Sequence, residues 1–172
     1  MNSGDRMDLR GVNEFLKDTF KYILVIVMVI VLFLYVISIQ QVVGPSMQPT
    51  LQEGNVIVIS KLNYKLGNVK RGDIIVFEYN GVKNLVKRVI GLPGEKIEFI
   101  DNTLYIDGKA YEEPYLKNIK TEDYKSGTIK ENHYLVLGDN RENSMDSREI
   151  GEINKDDIIG KVVLRLWPFK KM

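Results

Sequence analysis

The sequence of 172 residues contains no cysteine and a single histidine, His133. The absence of cysteine excludes a thiol nucleophile, a cysteine-ligated metal site and any disulfide. The sequence also lacks a surplus of charge, because 24 lysines and arginines against 23 aspartates and glutamates leave a net charge of +1. A dedicated nucleic-acid-binding protein would carry a basic surplus. We therefore expect no nucleic-acid partner.

The sequence has one long apolar run, residues 22–39, which contains no charged residue. A membrane-spanning helix needs about 20 apolar residues. A cleaved signal peptide is the alternative, but its apolar core usually has about 7–15 residues and ends at a small-residue cleavage site. Residues 38–43 lack that site. The run therefore predicts an uncleaved transmembrane anchor.

Basic residues are distributed unequally on the two sides of this run. Four of them precede it: Arg6, Arg10, Lys17 and Lys21. The next basic residue is Lys61. Lysine and arginine accumulate on the cytoplasmic side of a span. We therefore expect a cytoplasmic tail at residues 1–21, either a short interfacial helix or a frayed end, an anchor at 22–39 and an extracytoplasmic domain at 40–172.

Residues 40–172 show the alternating pattern and turn signals of an antiparallel β domain. The predicted strands are residues 56–59, 73–79, 82–90, 103–106, 109–111, 134–137 and 158–167. Asn80-Gly81 and Asp107-Gly108 each separate two of these strands, and such pairs are the strongest short signal for a two-residue hairpin turn. No segment after residue 40 has a convincing helical period. We predict a mainly β fold behind one transmembrane helix.

A serine lies between two prolines in the motif GPSMQPTL at residues 44–51. Pro45 and Pro49 rule out a regular helix or a central strand. The motif therefore predicts a rigid loop that holds out the hydroxyl of Ser46. A serine is a poor nucleophile unless a base lies beside it.

Two side chains are candidates for that base. His133 precedes a predicted strand and has no recognisable partner motif for a Ser-His-Asp triad. Lys87 lies in mid-strand and would face Ile74 if the first hairpin turn has two residues, with apolar neighbours on its own face. Burial among apolar groups lowers the pKa of a lysine by up to several units. Lys87 is thus the better candidate, and a solvated surface lysine is the alternative.

A polar segment, GDNRENSMDSR, occupies residues 138–148. A calcium loop would need alternating oxygen ligands and a glycine at its sixth position, and Arg141 interrupts that alternation. A solvated loop is one interpretation. The composition fits better a hydrogen-bonded turn in which Asp146 pairs with Arg148. We predict no metal site.

Four segments in order resemble the bacterial type I signal peptidases, the membrane-bound Ser/Lys proteases of the secretory pathway. They are GPSMQPTL at 44–51, RGDIIVF at 71–77, KRVIGLPGE at 87–95 and GDNRENSMDSR at 138–148. The similarity covers nearly all of residues 40–172. It implies an antiparallel β domain on the outer membrane surface, and the single span is similar to the Gram-positive members.

The resemblance also implies roles for individual residues. Ser46 would be the nucleophile and Lys87 the general base. Ser144 would hydrogen-bond the lysine, and Asp146 with Arg148 would brace the site. The substrate pocket, which would accept small side chains, would be formed by Val42, Gly44, Ile57, Val76 and Val86. One departure is Gly44, because many relatives have a serine there whose hydroxyl serves the oxyanion hole.

The function implied by the resemblance is the removal of N-terminal signal peptides from exported pre-proteins, after small residues. The expected partners are signal-peptide-bearing pre-proteins emerging from the secretory translocon, and the lipid bilayer of the cell membrane. No cofactor is called for. Two alternatives are a self-cleaving Ser/Lys protease of the repressor-processing kind, which the exported anchor disfavours, and a non-catalytic membrane-anchored β module that binds exported proteins.

Overall fold

The computed structural model describes residues 9–62, 69–116, 119–168 and 170–171. The chain divides into two compact units between Val36 and Ile37. The first unit contains helix α1, Leu9–Val36. Within it Gly11–Val36 is long and apolar enough to cross a membrane, by length and composition. At about 1.5 Å per residue, its 26 residues extend roughly 39 Å.

The apolar helix ends three residues before the predicted end of the anchor. Residues 37–39 belong to the first strand, where Ile37 pairs with Ser60 and Ile39 with Val58. Both segments are apolar, so composition does not separate the helix from the strand that follows it. The strand pairing that sets this boundary involves a partner about twenty residues away in the sequence.

The second unit is built from two antiparallel sheets. The strands, in chain order, are β1 Ile37–Gln41, β2 Val56–Ser60, β3 Ile74–Tyr79, β4 Lys83–Gly91, β5 Lys96–Ile100, β6 Thr103–Ile106, β7 Lys109–Tyr111, β8 Tyr124–Thr128, β9 His133–Leu137, β10 Ile153–Asn154, β11 Ile158–Trp167 and β12 Lys170–Lys171. The large sheet has the order β1-β2-β11-β3-β4-β9-β10, with β12 on β11, and the small sheet has the order β7-β6-β5-β8. The mainly antiparallel β fold is therefore confirmed.

The second predicted hairpin is correct, and the register of the first is wrong by one residue. Ile106 pairs with Lys109 across a two-residue turn. In the first hairpin Tyr79 pairs with Lys83, so the turn has three residues and Lys87 faces Ile75 instead of Ile74. Positive φ angles at Asn80 (53°) and Gly81 (66°) accommodate this turn, and such angles suit asparagine and glycine.

Some short elements give no clear signal in the sequence. Strands β5 and β8 pair with each other in the small sheet. A four-residue helix, α2 Ser147–Ile150, and a 3-10 helix, Lys155–Asp157, follow β9. Both helices are shorter than two turns, too short to produce a helical period.

Three apolar clusters form the core. One lies between the loop at residues 44–51 and the large sheet and contains Met47, Leu51 and Ile57. A second contains Phe77 and Val89 of β3 and β4. The third joins the small sheet to β4 and β9. The loop at residues 44–51 therefore packs against β2, β3 and β11, whereas the small sheet packs against β4 and β9.

Candidate active site

The loop at residues 44–51 connects β1 to β2 through a series of turns. The N–H of Gln48 donates to the carbonyl of Pro45 at 3.0 Å, and that of Leu51 donates to Met47 at 2.8 Å. The side chains of Met47 and Leu51 are 1% and 0% exposed. Because these two apolar residues anchor the loop in the core, Ser46 between the prolines is held half-buried in a defined position.

The amine of Lys87 reaches Ser46. Lys87 is 3% exposed on β4, and its Nζ donates to Ser46 Oγ at 2.7 Å. Burial lowers the pKa of Lys87 from 10.5 to about 8, and the negative charges of Asp146 and Asp139 oppose part of that fall. A lysine of this pKa supplies an appreciable neutral fraction near neutral pH, as a general base requires.

His133, the other candidate base, does not contact Ser46 in the described part of the chain. His133 lies at the start of β9, and its Nδ1 is 2.8 Å from the carbonyl oxygen of Glu131 in the adjoining turn. It lines a polar cavity with Lys61 and Asp156. Among the contacts of the described residues, none joins His133 to Ser46.

The polar segment at residues 138–148 folds against Ser46 and Lys87. Asp146 is fully buried and pairs with Arg148, whose Nε and Nη2 each lie 2.9 Å from a carboxylate oxygen. The N–H of Gly138 donates to the same carboxylate at 3.0 Å. Burial acts to raise the pKa of Asp146, but these hydrogen bonds and the arginine charge outweigh it, and the pKa lies below its ordinary value. The carboxylate is therefore a fixed negative charge beside Lys87.

Ser144 lies next to the dyad without joining it. Its hydroxyl is buried and meets strict hydrogen-bond geometry with no described residue, but it lies close enough to Asp146 to contribute to the lowered pKa of that carboxyl. A Cβ placed on Gly138 would lie 2.2 Å from Ser144 Oγ and 2.5 Å from the carbonyl oxygen of Ser46. Only glycine fits between these two groups. The predicted hydrogen bond from Ser144 to the lysine is not formed in this structure, in which Lys87 donates to Ser46.

The buried ion pair beside Lys87 was not predicted from the sequence. Arg88 is 8% exposed, and its Nε and Nη2 donate to Asp139 at 2.8 and 2.7 Å. Its Nη1 donates to the carbonyl of Gly72 at 2.8 Å. An arginine within an apolar strand would have been the available signal, since a buried guanidinium needs a carboxylate partner.

A cleft of about 220 Å³ opens beside Ser46 and Lys87. Three of the predicted pocket residues line it: Val42, Ile57 and Val86. The other two predicted residues do not. Val76 is fully buried and pairs with Val86, whereas Gly44 has a φ of 85° and open space where a Cβ would lie.

Two open strand edges border this cleft. Residues 83–87 of β4 pair with β3 alone in the described part of the chain, since β9 begins its pairing at Arg88. Among the described strands, β1 pairs with β2 alone. Gln40 and Gln41 of β1 and Asn84 of β4 line the cleft. An unpaired strand edge can accept an extended peptide through main-chain hydrogen bonds.

No cluster of three metal-ligating side chains occurs among the described residues.

Comparison with known proteins agrees with this architecture. Residues 15–167 match the family described as "Signal peptidase, peptidase S26". Signal peptidase IB of Staphylococcus aureus (strain Mu50) is 38% identical over 90% of this chain and 93% of its own length. Signal peptidase I of Bacillus caldolyticus is 42% identical over 80% and 84%.

A solved structure supports the same assignment. The crystal structure of a signal peptidase I from Enterococcus faecalis V583 aligns with a TM-score of 0.52 and 38% identity. It covers 55% of this chain and 97% of the solved chain. A family match over most of the sequence, with related proteins at this level of identity, means that the chain belongs to the S26 family of bacterial type I signal peptidases, serine endopeptidases that cleave signal peptides from pre-proteins.

Proposed function

We propose that Ser46 and Lys87 are the catalytic dyad with which this signal peptidase cleaves its substrates. The observation that carries the proposal is the 2.7 Å hydrogen bond from the buried Lys87 amine to the Ser46 hydroxyl. The lowered pKa of that lysine and the fixed loop around the serine support it. A nucleophile and a base within hydrogen-bond reach are what acyl transfer requires.

In the first half of the reaction, neutral Lys87 accepts the proton of Ser46 as Oγ attacks the scissile carbonyl. The ammonium then gives this proton to the leaving amine, and the mature protein departs. In the second half, Lys87 removes a proton from water, which attacks the acyl carbonyl; the bond to Ser46 Oγ breaks, Lys87 returns the proton to Oγ, and the signal peptide is freed. Asp146 and Arg148 hold the polar loop beside the lysine. Ser144, whose hydroxyl is buried close to Asp146, would receive the amine when it leaves Ser46.

The oxyanion is stabilised by backbone groups near the nucleophile in this proposal. The N–H of Ser46 donates to no acceptor in the described part of the chain, so it is available to a developing negative charge. Gly44 has no hydroxyl to offer. Its positive φ and the open space around it leave room for a main-chain N–H or a water to act as the second donor.

Substrate would bind in the cleft as an extended strand. The open edges of β1 and β4 supply main-chain partners, and pleating sends alternate side chains toward the enzyme. Val42, Ile57 and Val86 leave space for small side chains at the residue before the cut and at the third before it. A large or charged residue at either position should therefore block cleavage.

Helix α1 anchors the enzyme in the cell membrane in this proposal, and its substrate's own apolar segment lies in the same bilayer. The basic residues before the helix favour a cytoplasmic N-terminus. The β domain would then act outside, on pre-proteins emerging from the translocon. A tag at Met1 that a protease reaches from outside wall-free cells would contradict this orientation.

Cleavage of a signal-peptide-bearing precursor by the purified full chain tests the dyad. Ser46→Ala and Lys87→Ala should each abolish cleavage, because each removes a group that the chemistry requires. His133→Gln is the matched control and should retain activity. Both inactive proteins should keep the far-ultraviolet circular dichroism of the wild type, because neither change removes a large apolar side chain from the core.

The outcomes separate the alternatives. Substantial cleavage by the Lys87→Ala protein would contradict the assignment of the base. No cleavage by the wild-type chain, together with binding of the precursor, would favour a non-catalytic module. A chelator should leave the wild-type rate unchanged if the chemistry depends on the dyad alone.

A further inference from the structure

We propose that Glu113, on the segment between β7 and β8, is a positioning residue for the dyad. It lies outside the substrate cleft and acts by holding the loop at residues 138–148 against Ser46. This role rests on the proposed functions of Ser46 and Lys87. It means that a connection between two strands of the small sheet helps to align these two residues.

Glu113 is the carboxylate partner of a buried arginine. Arg141 is 3% exposed, and its Nη2 and Nη1 donate to the two oxygens of Glu113 at 2.5 and 3.0 Å. Thr121 accepts a third hydrogen bond from Nη1 at 2.9 Å. A bidentate pair of this kind fixes the guanidinium in orientation as well as in position. The segment around Glu113 thus determines where the Arg141 side chain lies.

Arg141 in turn holds the backbone of the polar loop at two points. Its Nε donates to the carbonyl of Gly138 at 3.1 Å, and its own carbonyl accepts from Arg148 Nη2 at 2.7 Å. The second of these bonds ties Arg141 to the arginine that pairs with Asp146. Arg141 therefore connects the first residue of the loop, through its guanidinium, with the ion pair beside Lys87, through its backbone carbonyl.

The loop so held contacts the nucleophile directly. The N–H of Asn140 donates to the carbonyl of Ser46 at 3.0 Å, and its side-chain amide donates to the carbonyl of Pro45 at 3.3 Å. Gly138 packs against the same Ser46 carbonyl, without room for a Cβ. A displacement of residues 138–141 would consequently displace the nucleophile relative to Lys87.

A second connection runs from the same carboxylate to the lysine strand. The hydroxyl of Tyr115 donates to Glu113 Oε1 at 2.5 Å. The ring of Tyr115 lies 3.9 Å from the guanidinium carbon of Arg88, in a cation–π contact. Arg88 follows Lys87 in β4 and pairs with Asp139. Glu113 is thus linked to both sides of the dyad, to the loop through Arg141 and to β4 through Tyr115.

The expected effect of losing this link is on turnover and not on substrate affinity. Glu113 does not line the cleft beside Ser46, so it makes no contact that a bound peptide would lose. Misplacement of reacting groups by about 1 Å can cost about 100-fold in rate. We expect Glu113→Gln to lower kcat by about 10- to 100-fold, with KM within about threefold of wild type.

The experiment measures kcat and KM of the full chain in detergent on one precursor peptide. Each variant is assayed well below its melting transition, so that all of the protein is folded and a purely structural role leaves kcat unchanged. The assay is run on the alkaline plateau of the pH profile, where Lys87 is neutral in every variant. Glu112→Gln is the matched control, because it removes the same charge from an exposed neighbouring residue.

Thr121→Val is a milder second variant that removes one hydrogen bond from Arg141 and keeps the ion pair. It should lower kcat by about two- to tenfold, and it decides the question if the Glu113→Gln protein does not fold. A fall in kcat at constant KM, absent from Glu112→Gln, supports the proposal. Wild-type turnover in the deciding variant, a change in KM alone, or an equal loss in Glu112→Gln overturns it.

The same assay separates this inference from the proposed dyad. Activity in a Ser46→Ala protein would contradict the dyad itself. An inactive Ser46→Ala protein together with wild-type turnover by Glu113→Gln would leave the dyad standing and remove only the positioning role.

Discussion

The rate of precursor cleavage should rise with pH and level off above about pH 8, because Lys87 accepts a proton only in its neutral form. Burial lowers the pKa of Lys87 from 10.5 to about 8. At pH 7 a lysine of pKa 8 is neutral about one time in ten, against about one time in 3,000 for an ordinary lysine. Burial therefore raises the concentration of active base by about 300-fold at this pH.

The assay is kcat/KM of an internally quenched precursor peptide as a function of pH, which reports the pKa values of the free enzyme. Below the midpoint the rate should fall about tenfold for each unit of pH. The negative charges of Asp146 and Asp139 hold the pKa of the lysine above the value that burial alone would set. An uncharged side chain in place of Asp139 should therefore move the acid limb to lower pH.

Two results would refute this reasoning. An acid limb near the ordinary lysine pKa of about 10.4 would mean that burial does not activate the base. An acid limb near about pH 6.5, the ordinary range of a histidine, that disappears in a His133→Gln protein would transfer the role of base to His133. A fall in kcat/KM with unchanged melting temperature across the same range excludes unfolding as the cause.

Three further predictions concern the groups around the dyad. Lys87→Met should raise the free energy of unfolding at pH 7 by up to about 3 kcal/mol, because the cost of burying the ammonium is complete below pH 8 and vanishes as the pH rises to 10.5. Denaturant melts at pH 7 and at pH 10.5 check this, and Lys83→Met, at an exposed position of the same strand, is the control. Gly138→Ala should cost about 1–3 kcal/mol of stability and at least about tenfold in turnover, since its Cβ would meet Ser144 and a backbone oxygen at 2.5 Å or less; normal turnover would contradict the packing. Gly44→Ser should change turnover by less than about tenfold, because the space is open and serine tolerates the φ of 85° better than a β-branched residue, whereas Gly44→Val should do far worse. A gain of about 100-fold in Gly44→Ser would indicate an incomplete oxyanion hole.

Local patterns predicted the elements whose signals lie within a few residues. The Asp107-Gly108 turn and the final strand, Ile158–Trp167, agree with the structure residue by residue. The register of the first hairpin could not be predicted from its turn sequence, because Asn80-Gly81 is compatible with turns of two or three residues. The flanking strands decide between them, and the pairing of Tyr79 with Lys83 selects three. Strand β8 was not predicted, because residues 124–128 include glycine and serine and none of them is fully buried.

For the candidate site too, the residues could be predicted from the sequence, but their approach in space could not. Ser46 and Lys87 were predicted because their neighbours in the sequence are unusual. The serine lies between two prolines, and the lysine lies in an apolar strand. Their approach to 2.7 Å joins residues 41 positions apart. It depends on the packing of Met47 and Leu51 beneath the loop. Only the folded domain brings those surfaces together.

The sequence by itself determined the apolar helix, the antiparallel strands and the order of the motifs, because these follow from periodicity, turn chemistry and residue type. The tertiary structure alone decided which charges face each other. Arg88 and Asp139 are 51 positions apart, and Arg141 and Glu113 are 28 apart. No local pattern marks these partners. A buried arginine requires some carboxylate, but which carboxylate it meets is set by the way two sheets and one loop pack.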